Sequence, residues 1–166
     1  VRSQKSARSS ATSLLGEVGR EVQLLLVGTP GTGYQEVKKE INNSPYRKDI
    51  VIPGWIGSDK LPNLLQSAVA FVFPSLYEGF GLPALEAMAC GCPVVLSNNN
   101  ALQEVGGEAG VYVDPLDTEE IATAIEKLIF DTNFRQQKII AGLERIRLFS
   151  WAKTAKRTWL LLEKLF

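Results

Sequence analysis

"VAFVFPSLYEGFGLPALEAMACGCPVVLS", Val69 to Ser97, reads as one strand, one helix and a second strand in succession. An apolar run closes at Pro74 and Ser75, a glycine-rich turn follows, and "LPALEAMA" (Leu82 to Ala89) has helical length and period with Pro83 in its first turn. The second apolar run, "CPVVLS", ends at Ser97. The same units recur on both sides. Apolar runs bounded by glycine or proline end at Gly28 ("VQLLLVG"), Gly54 ("DIVIPG") and Val113 ("GVYV"), and helical segments stand at "YQEVKKEINN" (Tyr34 to Asn43) and "DKLPNLLQSA" (Asp59 to Ala68). Continuous apolar strands alternating with helices predict a doubly wound parallel α/β sheet covered on both faces. From Asp117 the helical period takes over through Ile121, Ile125, Leu128, Ile139, Leu143 and Ile146, so the chain is expected to close with two or three C-terminal helices.

The 166 residues suit a single domain spanning 1–166, and 45% hydrophobic content can furnish its core. Lys plus Arg and Asp plus Glu each number 18, so the net basic field expected of a nucleic-acid partner is missing. The absence of histidine removes imidazole bases, Ser-His-Asp triads and His-ligated metals together. Cys90 and Cys92 are too few and too close for a zinc site or a structural disulfide, and read as small buried thiols in a reducing compartment. No apolar run approaches the ~20 residues of a membrane span. The first sixteen residues carry three basic and no acidic side chains, as a transit peptide does, but their pattern runs on through Leu14, Leu15 and Val18 and predicts a helix from near Ser6.

"GTPGTGYQ", Gly28 to Gln35, approximates the phosphate loop of nucleotide triphosphatases. It offers Tyr34 and Gln35 where that loop needs a lysine and a magnesium-binding hydroxyl, so an ordinary strand-to-helix turn is the better reading. The turn between Tyr77 and Pro83 carries more. Gly79 and Gly81 allow close backbone approach, amides near Phe80, Gly81 and Leu82 can converge on an oxygen, Glu78 stands in the loop, and Glu86 follows eight residues later in the helix. Helical side chains lean toward the N-terminus, which brings Glu86 back over the same mouth. Carboxylates that each accept from vicinal hydroxyls would suit a polyhydroxylated ligand bearing a nucleotide. A solvated loop glutamate beside an ordinary helix-surface glutamate meets the same spacing equally well.

"FPSLYEGFGLPALEAMACGCPVVLS", with "ALQEVGGEAGVYVDPLD" and "FSW" after it, resembles the C-terminal, donor-binding domain of the family 4 retaining glycosyltransferases of GT-B fold, from about Val22 onward. The resemblance implies a Rossmann-like half of that fold and a nucleotide-diphosphate-sugar donor. It further implies that Glu78 acts on hydroxyls of the transferred sugar as the catalytic-site carboxylate and that Glu86 holds the ribose. Amides at Phe80, Gly81 and Leu82 would touch the sugar or diphosphate, and backbone at Ile56 the base. The family's Arg and Lys that neutralise the diphosphate would fall on Arg2 and Arg8, with Lys5 between, although the glycine usual there is missing. No cofactor and no metal are implied.

The first strand of such a sheet is missing from the pattern, so the chain is expected to be a fragment whose acceptor, a glycan or lipid, belongs to an absent N-terminal domain. The terminal helix, with Trp151, Trp159, Leu162 and Phe166 among Lys153, Lys156, Arg157 and Lys164, is expected to pack on that domain, peripheral membrane association being the other reading. A cytoplasmic location, extending to the inner membrane surface, follows. The competing functions are a non-catalytic nucleotide-sugar binding module that pairs with another chain, and a dinucleotide-binding oxidoreductase domain. The latter lacks a G-x-G-x-x-G at the first strand-to-helix turn.

Overall fold

The computed structural model describes residues 22–165, so the expectations placed on Arg2, Arg8, the helix from Ser6 and Phe166 lie outside the described residues. Two compact units divide the chain, the first ending at Gly57 and the second beginning at Ser58.

In the first unit, strand β1 (Leu24–Val27) runs parallel to β2 (Ile50–Gly54), with Leu24 opposite Ile50, Leu25 opposite Val51, and a register shift before Val27 meets Gly54. Helix α1 (Tyr34–Asn43) connects them, entered through Gly33 at φ 82°, and its one buried side chain is Ile41. The glycine-rich segment from Gly28 is therefore a strand-to-helix turn. Coverage of both faces does not extend to this pair: Leu24, Leu25 and Val27 are exposed, and β2 alternates between half-buried and exposed positions. Among the described residues of this unit, two strands and one α-helix that turns a single isoleucine inward do not enclose both sides of the sheet.

The second unit supplies the doubly covered sheet. Strands β3 (Phe71–Phe73), β4 (Val94–Ser97) and β5 (Val111–Val113) are all parallel in the order β3-β4-β5, with Phe71 opposite Val94 and Val95 opposite Val111. Helix α2 (Leu61–Ser67) precedes β3, α3 (Leu82–Ala89) joins β3 to β4, and α4 (Asn100–Gly106) lies between β4 and β5. Three helices close the chain: α5 (Thr118–Phe130), α6 (Thr132–Arg145) and α7 (Trp151–Leu162).

Successive side chains of a strand point to opposite faces, and β4 uses both. Val94 and Leu96 join Ala84, Ala87 and Met88 of α3 and Leu102 and Val105 of α4, whereas Val95 joins Val113 and the α5 residues Ala124 and Leu128. All four β4 positions are buried, because the strand is central and has a helical layer on each side. Each of its aliphatic side chains, Val94, Val95 and Leu96, contributes about 1.5–3 kcal/mol of burial. Asp117 and Asp131 set the helical breaks, their carboxylates accepting from Glu119 N and Glu120 N, and from Phe134 N, respectively.

The reading of both cysteines as buried holds only for Cys92. Burial, reinforced by neighbouring Cys90, pushes its thiol up to about 12, so it stays protonated, whereas Cys90 is half-buried at the C-terminal cap of α3. None of the helices among the described residues is long and apolar enough to cross a membrane.

Candidate functional site

The loop from Pro74 to Gly81 leaves the carboxyl end of β3, the side on which open α/β sheets receive ligands. Polar contacts fix its first half. Ser75 Oγ donates to the Tyr77 carbonyl at 3.0 Å, and Asn99 Nδ2 donates to the Ser75 carbonyl at 3.1 Å. The same Asn99 caps α4, its Oδ1 accepting from Leu102 N at 3.0 Å, so one side chain joins the loop to the neighbouring helix.

The two glycines of the turn do different work. Gly81, the N-cap of α3, sits at φ 106° and ψ 40°, and a Cβ placed there would lie 2.7 Å from Leu102 Cδ2. Gly79 has an ordinary φ, and a Cβ on it would meet nothing within 4 Å. Only Gly81 is therefore demanded by its surroundings. It has no side chain to cap the helix, so no side-chain oxygen accepts from the first-turn amides of α3, although the Ala84 amide is taken by the Gly81 carbonyl at 3.0 Å. The positive end of the helix is left for an outside acceptor.

Around that end stand the anticipated residues. Phe80 and Leu82 are each 46% exposed, Glu78 is half-buried in the loop, and Glu86 is exposed on α3 one turn in. Glu78, Phe80, Gly81, Leu82 and Glu86 thus share one loop-helix segment of the second unit. Ile56, half-buried after β2, belongs to the first unit. Arg2 and Arg8 lie outside the described residues. Among the described residues no group of three or more Cys, Asp or Glu side chains is gathered as a metal centre would need. Amides at a helix start with carboxylates on either side can hold an anionic group and hydroxyls together.

The sequence motifs assign no role to the residues that support this segment. Leu102 lies on α4, a seven-residue helix whose one local signal is Asn99 before its first turn. Phe149 meets Phe80 edge-on, with ring centroids 6.1 Å apart at 80°, and the Arg145 guanidinium lies 5.3 Å from the Phe149 centroid.

Comparison with known proteins places this geometry in context. The sequence profile described as Glycosyl transferases group 1 matches residues 8–131. The O-antigen chain mannosyltransferase B of Escherichia coli is 44% identical over 105 residues, which are 63% of this chain and 28% of that protein. The structure of sucrose-phosphate synthase from Thermosynechococcus elongatus superposes with a TM-score of 0.78 at 33% identity, over 87% of this chain and 38% of the synthase. The C-terminal domain of a glycosyl transferase group 1 family protein from Francisella tularensis superposes with a TM-score of 0.62 at 30% identity, over 69% of this chain and 60% of that domain. The chain spans less than two fifths of the length of the mannosyltransferase and of the synthase.

Proposed function

Because the chain belongs to the glycosyl transferases group 1 family, we propose that its second unit carries the donor site of a retaining glycosyltransferase that moves a hexose from a nucleotide diphosphate to a glycan or lipid-linked acceptor. The observation that carries this reading is the uncapped start of α3 at Gly81, with Glu78 before it and Glu86 after it.

Each group then has a task that the family resemblance assigns and that its chemistry can perform. Amides at Phe80, Gly81 and Leu82 meet oxygens of the diphosphate or the sugar, where the helix dipole favours negative charge. When the bond between sugar and diphosphate breaks, its electron pair leaves on the diphosphate. Fixed amides already aimed at that oxygen stabilise the growing charge without reorganising. Glu86, exposed on the helix, accepts from the two ribose hydroxyls, and Glu78, half-buried in the loop, accepts from hydroxyls of the transferred sugar. Contact of Ile56 with the base, and neutralisation of the diphosphate by Arg2 and Arg8, rest on the family resemblance alone.

The remaining length of the relatives is assigned, in this proposal, to acceptor recognition. The 44% identity with a mannosyltransferase makes a mannosyl donor the first to try. A cytoplasmic setting, up to the inner membrane surface, goes with the free thiols of Cys90 and Cys92.

Calorimetry with UDP, GDP and ADP, each with and without EDTA, tests the proposal. Weak binding of at least one nucleotide is expected, unchanged by the chelator and without sugar transfer by this chain alone. A demonstrably folded sample that binds none of the three contradicts the donor site.

A further inference from the structure

We infer that Phe149 is a positioning residue of this same site, holding Phe80 and through it the amides that receive the diphosphate, an inference that rests on the donor-site reading above. Phe80 stands between Gly79 and Gly81. Gly79 places almost no restraint on the backbone before Phe80, whereas Gly81 is confined by Leu102, so the orientation of the amides on the Gly79 side depends on what the Phe80 side chain touches. That side chain is 46% exposed and meets the Phe149 ring edge-on, with centroids 6.1 Å apart at 80°, a favourable aromatic geometry.

Phe149 is itself held. It follows the 3-10 turn Ile146–Leu148 at the end of α6, its amide donates to the Ile146 carbonyl at 3.0 Å, and Ile146 packs on the main core cluster. Arg145, the last residue of α6, lies with its guanidinium 5.3 Å from the Phe149 centroid and donates to two carbonyls at the end of α4, from Nε to Val105 at 3.0 Å and from Nη2 to Glu104. Gly107, at φ 51°, leaves room for that guanidinium, since a Cβ there would sit 3.0 Å from Arg145 Nε. Helix α4 also places Leu102 beneath Gly81. The turn is therefore braced twice from one helix: directly at Gly81, and through Arg145 and Phe149 at Phe80. Bracing of this kind lowers the ordering cost that binding would otherwise meet.

The test compares Phe149→Leu, which keeps apolar volume but removes the ring, with Phe149→Tyr, which keeps it. Affinity for UDP, GDP and ADP is measured by calorimetry on the full chain. A 4-fluorophenylalanine incorporated at position 80 reports loop order by fluorine NMR in the absence of ligand, and thermal melts control for folding. Phe149→Leu is expected to weaken binding by about 3- to 10-fold and to shift or broaden the fluorine resonance, with Phe149→Tyr within about twofold of wild type. Unaltered affinity in Phe149→Leu, an unaltered resonance, or equal losses in both variants overturns the role. A wild-type chain that binds none of the three nucleotides overturns the donor-site reading, and this role with it.

Discussion

Gly81→Ala is expected to abolish detectable nucleoside diphosphate binding and to melt far below the wild type. Its φ of 106° is outside what a residue with a Cβ adopts without strain, which costs about 1–3 kcal/mol. The added carbon would also stand 2.7 Å from Leu102 Cδ2, and Leu102 is 0% exposed, in the cluster that includes Met88 and Leu96. A fully buried leucine in such a cluster moves only by disturbing its neighbours, at a further ~1–3 kcal/mol. Together these effects remove about 2–6 kcal/mol from a domain whose whole net stability is ~5–15 kcal/mol. Relief of the strain by unwinding the first turn of α3 would also misdirect the amides that the donor site needs. Gly79→Ala provides the control, because an added Cβ there meets nothing within 4 Å and φ is ordinary. Urea denaturation of the two variants checks the expectation. Equal stability would mean that Leu102 does not confine Gly81.

The second large effect is expected at Glu86. Replacement by alanine should weaken nucleoside diphosphate binding by about 1–3 kcal/mol, the loss expected when charge-assisted hydrogen bonds to two hydroxyls go unmade. Glu86 is exposed, so the fold should hardly register the change, and stability should stay within about 0.5 kcal/mol of wild type. Glu78→Ala should leave affinity for the bare diphosphate nearly unchanged, since its proposed partner is the sugar, and should weaken binding only of the sugar-bearing nucleotide. Calorimetry on both variants separates the roles. Equal losses for UDP or GDP would show that the two carboxylates do not divide the two sugars between them.

The chain announced much of this arrangement because its local signals agree. Tyr34–Asn43 and Leu82–Ala89 form helices over the same bounds that their periodicity marks, and each is entered through a glycine at positive φ. Every apolar run bounded by glycine or proline became a parallel strand. The profile and the superposed relatives agree with the resemblance to glycosyltransferases, and the doubly wound character is realised around β4.

What the chain did not announce depends on contacts far apart in sequence. "LLLV" and "VVLS" read alike, yet β1 is exposed along three of its four residues and β4 along none, since burial is decided by which helices lie over a strand. The short helix at Asn100–Gly106 has too few residues to display a period, and its importance comes from Leu102 beneath Gly81 and Asn99 on Ser75. Arg145 reaches back forty residues to Val105, and Phe149 meets Phe80 from beyond α6. No spacing rule joins such positions. The placement of Glu78 and Glu86 around one turn was legible in the sequence, whereas the bracing of that turn was not.

The most direct measurement of the central claim is an amide-resolved NMR titration of the folded chain with UDP and GDP. The largest shifts are predicted at Phe80, Gly81, Leu82 and Glu86, with Gly79 and Glu78 joining when a sugar nucleotide replaces the bare diphosphate. A rival phosphate-like turn runs from Gly28 into the start of α1. Shifts concentrated between Gly28 and Gln35, with the amides around Gly81 unmoved, would contradict the account.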